Sequence, residues 1–128
     1  MLLLTYRPRC AFWHPYLGEC VFSIDGEHIS LQYVEQKVPV MSIIKCPGAV
    51  RLAVTSDGSL LAALDLEGVV SVWTLLSRPI IARRISTWLL TRCVQQLEFC
   101  PEGRCLTLYL GGYTKFCRID VKTGEVFS

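Results

Sequence analysis

Two glycine-centred turns recur along this chain with a single period, and that recurrence constrains the fold more than any other feature. Three stretches align on them: "CAFWHPYLGECVFSIDGEHISLQYV" (Cys10–Val34), "VRLAVTSDGSLLAALDLEGVVSVW" (Val50–Trp73) and "VQQLEFCPEGRCLTLYLGGYTKFCRIDV" (Val94–Val121). Each opens with a short alternating segment. A Pro- or Ser-led turn follows and ends in Gly18, Gly58 or Gly103, 40 and 45 residues apart. An apolar run comes next, and then a second glycine turn at Gly26, Gly68 or Gly112, 42 and 44 residues apart. Two independent markers with one spacing define a repeated supersecondary unit. The copies span approximately residues 8–40, 48–86 and 92–128 of one repeat region covering 1–128.

Within a copy the pattern is that of strands. Leu52 and Val54 alternate with Ala53 and Thr55, and "SDG" supplies residues that tolerate tight or left-handed geometry. "LLAAL" is too short for a helix and suits a strand buried on both faces. "EG" turns the chain again, and Val70 and Val72 alternate towards Trp73. A fourth strand is expected in "RPIIARRI", because an outer strand accommodates Pro79. Four short antiparallel strands in forty-odd residues predict an all-β fold, a β-propeller segment of about three blades.

The second copy, "TSDGSLLAALDLEGVVSVW", resembles a WD40 repeat: a Ser-Pro-Asp-Gly-like turn, a small apolar strand, an acidic-glycine turn and a closing tryptophan. The repeat positions carrying the resemblance are Gly18, Gly26, Asp57, Gly58, Gly68, Trp73, Gly103, Gly112 and Asp120. The family's buried histidine–hydroxyl–aspartate–tryptophan network is incomplete. Trp73 stands in the second copy, but Glu67 takes the aspartate position and "CPGAV" replaces the histidine segment. The third copy has Ile119 and Asp120 for the tryptophan–aspartate pair, and the first ends "ISLQYV" with neither. Apolar packing is therefore expected to hold the blades together.

Propellers usually close with four to eight blades. Three copies form an arc, and "DVKTGEVFS" reads as the link into a last strand. The expectation is a fragment or short isoform of a larger propeller. The alternatives are an arc closed by another chain or by self-association, and a smaller sandwich-like domain. All three predict an apolar exposed face on the terminal copies. A mean hydropathy of +0.40 fits that expectation. No apolar run is long enough to span a membrane, since Asp65, Glu67 and Gly68 interrupt the best one, and "MLLLTYRPR" is too short for a signal peptide core. Seven cysteines without a disulfide-like spacing point to free thiols in a reducing compartment, cytoplasmic or nuclear.

Chemistry is sparse. There is no C-x-x-C or H-x-x-x-H, so no metal site is expected, and Cys100 and Cys105 read as core fillers flanking a turn. His14 and His28 are the only histidines, and neither lies in a nucleophile motif. No catalytic residue or cofactor is assigned, and the chain is expected not to be an enzyme. Arg78, Arg83, Arg84 and Arg92 cluster around Trp88, which allows a nucleic-acid-binding alternative, although the net charge is only +2. The WD40 resemblance instead implies a scaffold that binds protein partners on one rim, where Lys45, Arg51, Glu67, Trp88, Arg92, Gln95 and Tyr113 would lie.

Overall fold

A computed structural model describes residues 9–14, 17–35, 41–77, 80–89, 94–110 and 115–127. No helix occurs among the described residues. Each repeat folds into one antiparallel meander. The first sheet is β1 (Arg9–His14), β2 (Gly18–Asp25), β3 (His28–Tyr33) and β4 (Met41–Lys45). The second is β5 (Ala49–Val54), β6 (Leu60–Asp65), β7 (Val69–Ser77) and β8 (Ile80–Leu89). The third is β9 (Val94–Phe99), β10 (Cys105–Leu110), β11 (Lys115–Asp120) and β12 (Val126–Phe127). Successive strands pair in order, so every connection within a sheet is a hairpin. The first strands of consecutive sheets neighbour one another, β1 beside β5 and β5 beside β9. This is a β-propeller segment of three four-stranded blades.

The turns follow from side-chain chemistry. Between β5 and β6, the Asp57 carboxylate accepts from the Thr55 hydroxyl (2.8 Å), the Ser59 N–H (2.9 Å) and the Ser59 hydroxyl (2.7 Å). Thr55 Oγ1 in turn accepts the N–H groups of Ser59 and Leu60, both at 3.0 Å. Gly58 takes φ = +74°, and a Cβ there would overlap the ring of Phe12 in the first blade. The missing side chain thus serves the turn and the contact between blades together.

The middle blade is buried on both faces, as the run "LLAAL" predicts: Leu61, Ala62, Ala63 and Leu64 are all core residues. Leu61, Ala63 and Trp73 pack against Phe22, Ile29, Leu31 and Ile44 of the first blade. Ala62, Leu64, Val70 and Val72 pack against Leu97, Leu106, Leu108 and Ile119 of the third. Phe12 stacks on Phe22 with ring centroids 5.6 Å apart. His14 is buried at the end of β1, where Nδ1 accepts the Leu17 N–H at 3.1 Å and helps fix the turn that follows.

Three expectations need correction. The fourth strand of the middle blade runs to Leu89, past the end of "RPIIARRI", because the nine-residue β7 offers pairing partners to Ser86, Thr87, Trp88 and Leu89. Trp88 therefore lies in a strand and not in a loop. Cys100 and Cys105 do flank a turn but are only partly buried, so they are not core fillers. The expected apolar outward face is met in the first blade only in part, and in the third blade the described outward residues are polar. The third blade presents Gln96, Glu98, Thr107, Tyr109 and Arg118, with the Tyr109 hydroxyl donating to Glu98 at 2.7 Å. The first is mixed: Arg9, Glu19, Ser23 and Gln32 stand beside Ala11, Val21 and two exposed apolar groups, Trp13 (61%) and Val34 (48%). The physical reason is the period of two: these sheets turn alternate apolar residues inward and polar ones outward.

Candidate functional site

In a meander blade, the first strand begins at the same end as the turn between the second and third strands. Val50 and Arg51 therefore share a rim with the β6–β7 turn, and Val94 and Gln95 open β9 on that same rim. Together Val50, Arg51, Leu64, Leu66, Val94 and Gln95 line an open groove of about 520 Å³ between the second and third blades.

Several local devices build it. A bulge in β5 pairs Ala49 with Asp65 and Arg51 with Leu64, leaving Val50 as the extra residue. Arg51 Nε donates to the Gln95 carbonyl across the blade boundary at 3.1 Å, and Nη1 donates to the Val50 carbonyl at 2.8 Å. The guanidinium is thereby fixed at the groove wall. In the same blade, Asp65 Oδ1 accepts the N–H groups of Glu67 (2.8 Å) and Val69 (2.9 Å), which shapes the β6–β7 turn. Leu66 N–H donates to the Gly48 carbonyl at 3.0 Å. That tether leaves the Leu66 side chain 78% exposed on a turn whose backbone is pinned. The groove thus combines an exposed leucine, apolar walls and a positioned guanidinium, a mixture suited to a polypeptide segment with an apolar anchor and acceptor groups.

Of the residues assigned to the rim from sequence, Arg51 and Gln95 meet directly. Glu67 is exposed beside Leu66 in the turn, and Lys45 is exposed at the end of β4 in the first blade. Trp88 pairs through its backbone with Val70 near the rim end of β8. Arg92 and Tyr113 lie outside the described residues, as does Gly112 among the repeat positions. Leu66 was legible but overlooked, since a leucine in the middle of an Asp-Leu-Glu-Gly turn is out of place for a solvent-facing hairpin. Val50 and Val94 carry no such signal, because only the packing of two blades brings them together.

Of the basic cluster, only the Arg84 side chain is among the described residues. Arg78 and Arg92 lie outside the described residues. Arg84 is exposed on β8. The Arg84 guanidinium carbon sits 5.5 Å from the centroid of the Trp73 ring, and the two residues are direct cross-strand partners. A cation–π contact thus stands at the tryptophan in place of a complete polar network. Nearby, burial chiefly raises the pKa of the Cys46 thiol; Asp65 adds to the shift and Arg84 opposes it.

No family model matches the chain, and no curated protein matches it. Solved structures do. One is a functionally unknown protein from Desulfotomaculum acetoxidans DSM 771, with a TM-score of 0.67, 12% identity, and 85% of this chain aligned to 38% of that one. Another is the β-propeller domain of Myceliophteria thermophila Cps50 (Swd1), with a TM-score of 0.65, 8% identity, and 86% of this chain aligned to 38% of that one. The chain thus spans well under half the length of either structure. At such identities the likeness is one of fold, and the fold is propeller-like.

Proposed function

We propose that this chain is a WD40-type, non-catalytic scaffold that binds a protein partner on the rim between its second and third blades. The observation carrying the proposal is the groove in which Leu66 stands exposed beside a guanidinium tied to the neighbouring blade. Arginine is among the residues that most often anchor protein interfaces, and an apolar side chain exposed in a groove offers area to bury on binding. The propeller-like fold supports the same class of function, and the thiol-rich composition favours a reducing compartment. The nucleic-acid alternative gains nothing from Arg84, which packs against Trp73.

The test is a paired substitution, Leu66→Asp with Arg51→Glu, compared with Glu98→Ala on the outward face of the third blade. Partners recovered with the unmodified chain are expected to fall at least tenfold with the rim variant and to be retained by the Glu98 variant, with circular dichroism unchanged in both. Equal recovery by the rim variant and the unmodified chain would refute binding at this groove.

A further inference from the structure

The turn between β9 and β10 repeats the Thr55 turn of the middle blade with sulfur in place of oxygen. Cys100 occupies the Thr55 position and Cys105 that of Leu60. The backbone matches: Cys100 N–H donates to the Cys105 carbonyl at 3.0 Å and Gly103 N–H to the Cys100 carbonyl at 2.9 Å. In the middle blade the corresponding bonds are Thr55 to Leu60 at 3.0 Å and Gly58 to Thr55 at 2.9 Å. Where Thr55 Oγ1 accepts the N–H of Leu60, Cys100 Sγ accepts the N–H of Cys105 at 3.1 Å. A position built to gather backbone donors around a hydroxyl here gathers them around a thiol.

Both residues are partly buried, and the Cys105 thiol hydrogen-bonds to Cys100 across the turn. We propose that Cys100 and Cys105 form a reversible thiol–disulfide modification site, with Cys100 as the attacking thiolate and Cys105 as the resolving thiol. Cys100 and Cys105 face each other one step beyond the Phe99–Leu106 pair, and facing residues of an antiparallel ladder have Cα atoms about 4.5 to 5.5 Å apart. That lies inside the range of roughly 4.4 to 6.8 Å that a disulfide spans. The electrostatics divide the roles. Burial pushes the Cys100 thiol up, but the N–H groups of Cys105, Arg104 and Glu102 and the Cys105 thiol together outweigh it, and the net shift is downward. Cys105 is raised by burial, by the Cys100 thiolate, by the hydrogen bond it donates and by Asp120, with Arg118 opposing. Thiolate character therefore concentrates on Cys100, and thiolate is the nucleophilic form.

The oxidant is a peroxide. The Cys100 thiolate attacks one peroxide oxygen, the O–O bond breaks, and the departing hydroxide is protonated to water, leaving a sulfenic acid. The Cys105 thiol then loses its proton and attacks the sulfenic sulfur. The S–O bond breaks and a second water leaves as the disulfide forms. Two thiols have lost two electrons and two protons, and the peroxide has been reduced to water. The site lies on the rim opposite the groove, so it is independent of the binding proposal. Gly103 of the same turn lies against the second blade, since a Cβ there would meet Thr55 Cγ2 at 3.3 Å. Closing the disulfide therefore acts at the contact between blades.

The test treats the full chain with limiting hydrogen peroxide and maps the products by mass spectrometry. Arg104 lies between the two cysteines, so trypsin separates them in the reduced protein and leaves them joined in the oxidised one, where fragmentation of the joined pair tells Cys100 from Cys93 on the same peptide. The expected product is the Cys100–Cys105 disulfide, reversed by dithiothreitol, formed at least tenfold faster than oxidation of Cys10, Cys20 or Cys46. Cys105→Ser should leave a dimedone-reactive sulfenic acid on Cys100. Cys100→Ser, which restores a hydroxyl at the Thr55-equivalent position and so spares the turn, should abolish reaction at Cys105. Oxidation spread evenly over the cysteines, or a Cys105 that reacts as fast in Cys100→Ser as in the unmodified chain, would overturn the proposal.

Discussion

Asp57 shows how one side chain can organise a blade turn. Its carboxylate receives the Ser59 hydroxyl, the Ser59 N–H and the Thr55 hydroxyl, and these, in that order, hold its pKa below the usual carboxylate range against a smaller opposing effect of burial. A depressed folded-state pKa contributes stability that is present above the unfolded value, about 4. That contribution is lost as the pH falls through the folded value. Asp57→Ala is expected to cost about 1 to 2 kcal/mol at neutral pH through lost hydrogen bonds. The difference from the unmodified chain should shrink below about pH 4 in urea titrations followed across pH. A difference that stays constant into acid would show that the charge is not involved. This site was legible in the sequence because an Asp-Gly turn flanked by Thr and Ser is local chemistry. Cys100 was not, since reading it as a core filler missed that a thiol can occupy the Thr55 position and accept the same backbone donor.

At the level of the element, the glycines of the repeat separate into two kinds. Gly26 adopts φ = +63° in the first blade, and a Cβ there would meet nothing within 4 Å. Alanine at that position carries only the left-handed penalty, about 1 kcal/mol. Gly58 has the same sign of φ, but its Cβ would enter the Phe12 ring. Overpacking adds about 1 to 3 kcal/mol. Gly58→Ala should therefore destabilise by about 2 to 4 kcal/mol in denaturant unfolding, clearly more than Gly26→Ala; equal effects would place Gly58 away from the interface. Their spacing exposed the repeat, yet it gave no sign of this difference. Strand identity was likewise readable in β5, β6 and β7, where alternation and turn residues agree. The length of β8 was not, because it is set by the reach of β7 across the hairpin and not by its own residues.

For the whole molecule, the middle blade is the element on which the other two depend. It gives Leu61, Ala63 and Trp73 to one core and Ala62, Leu64, Val70 and Val72 to the other. The terminal blades each turn one face inward; the described outward residues are polar in the third blade and mixed in the first. The sequence indicated the three copies and the doubly buried strand. It misled on the outer face of the third blade because mean hydropathy sums over the chain and cannot say which blade holds the apolar residues. The groove was only half legible for a related reason: Arg51 and Gln95 could be placed on a rim by repeat position, while Val50 and Val94 become neighbours only when blades stack.

Packing of consecutive blades through their first turns is what makes this chain a propeller segment, and proton NMR can read it directly. Three stacked blades require nuclear Overhauser contacts from the Phe12 ring protons to the Gly58 α-protons, and from the Thr55 methyl group to the Gly103 α-protons. Observation of both pairs is the expected result. A folded chain that shows the hairpin contacts within each sheet but neither contact between sheets would contradict the arrangement, and the groove built on it would fall as well.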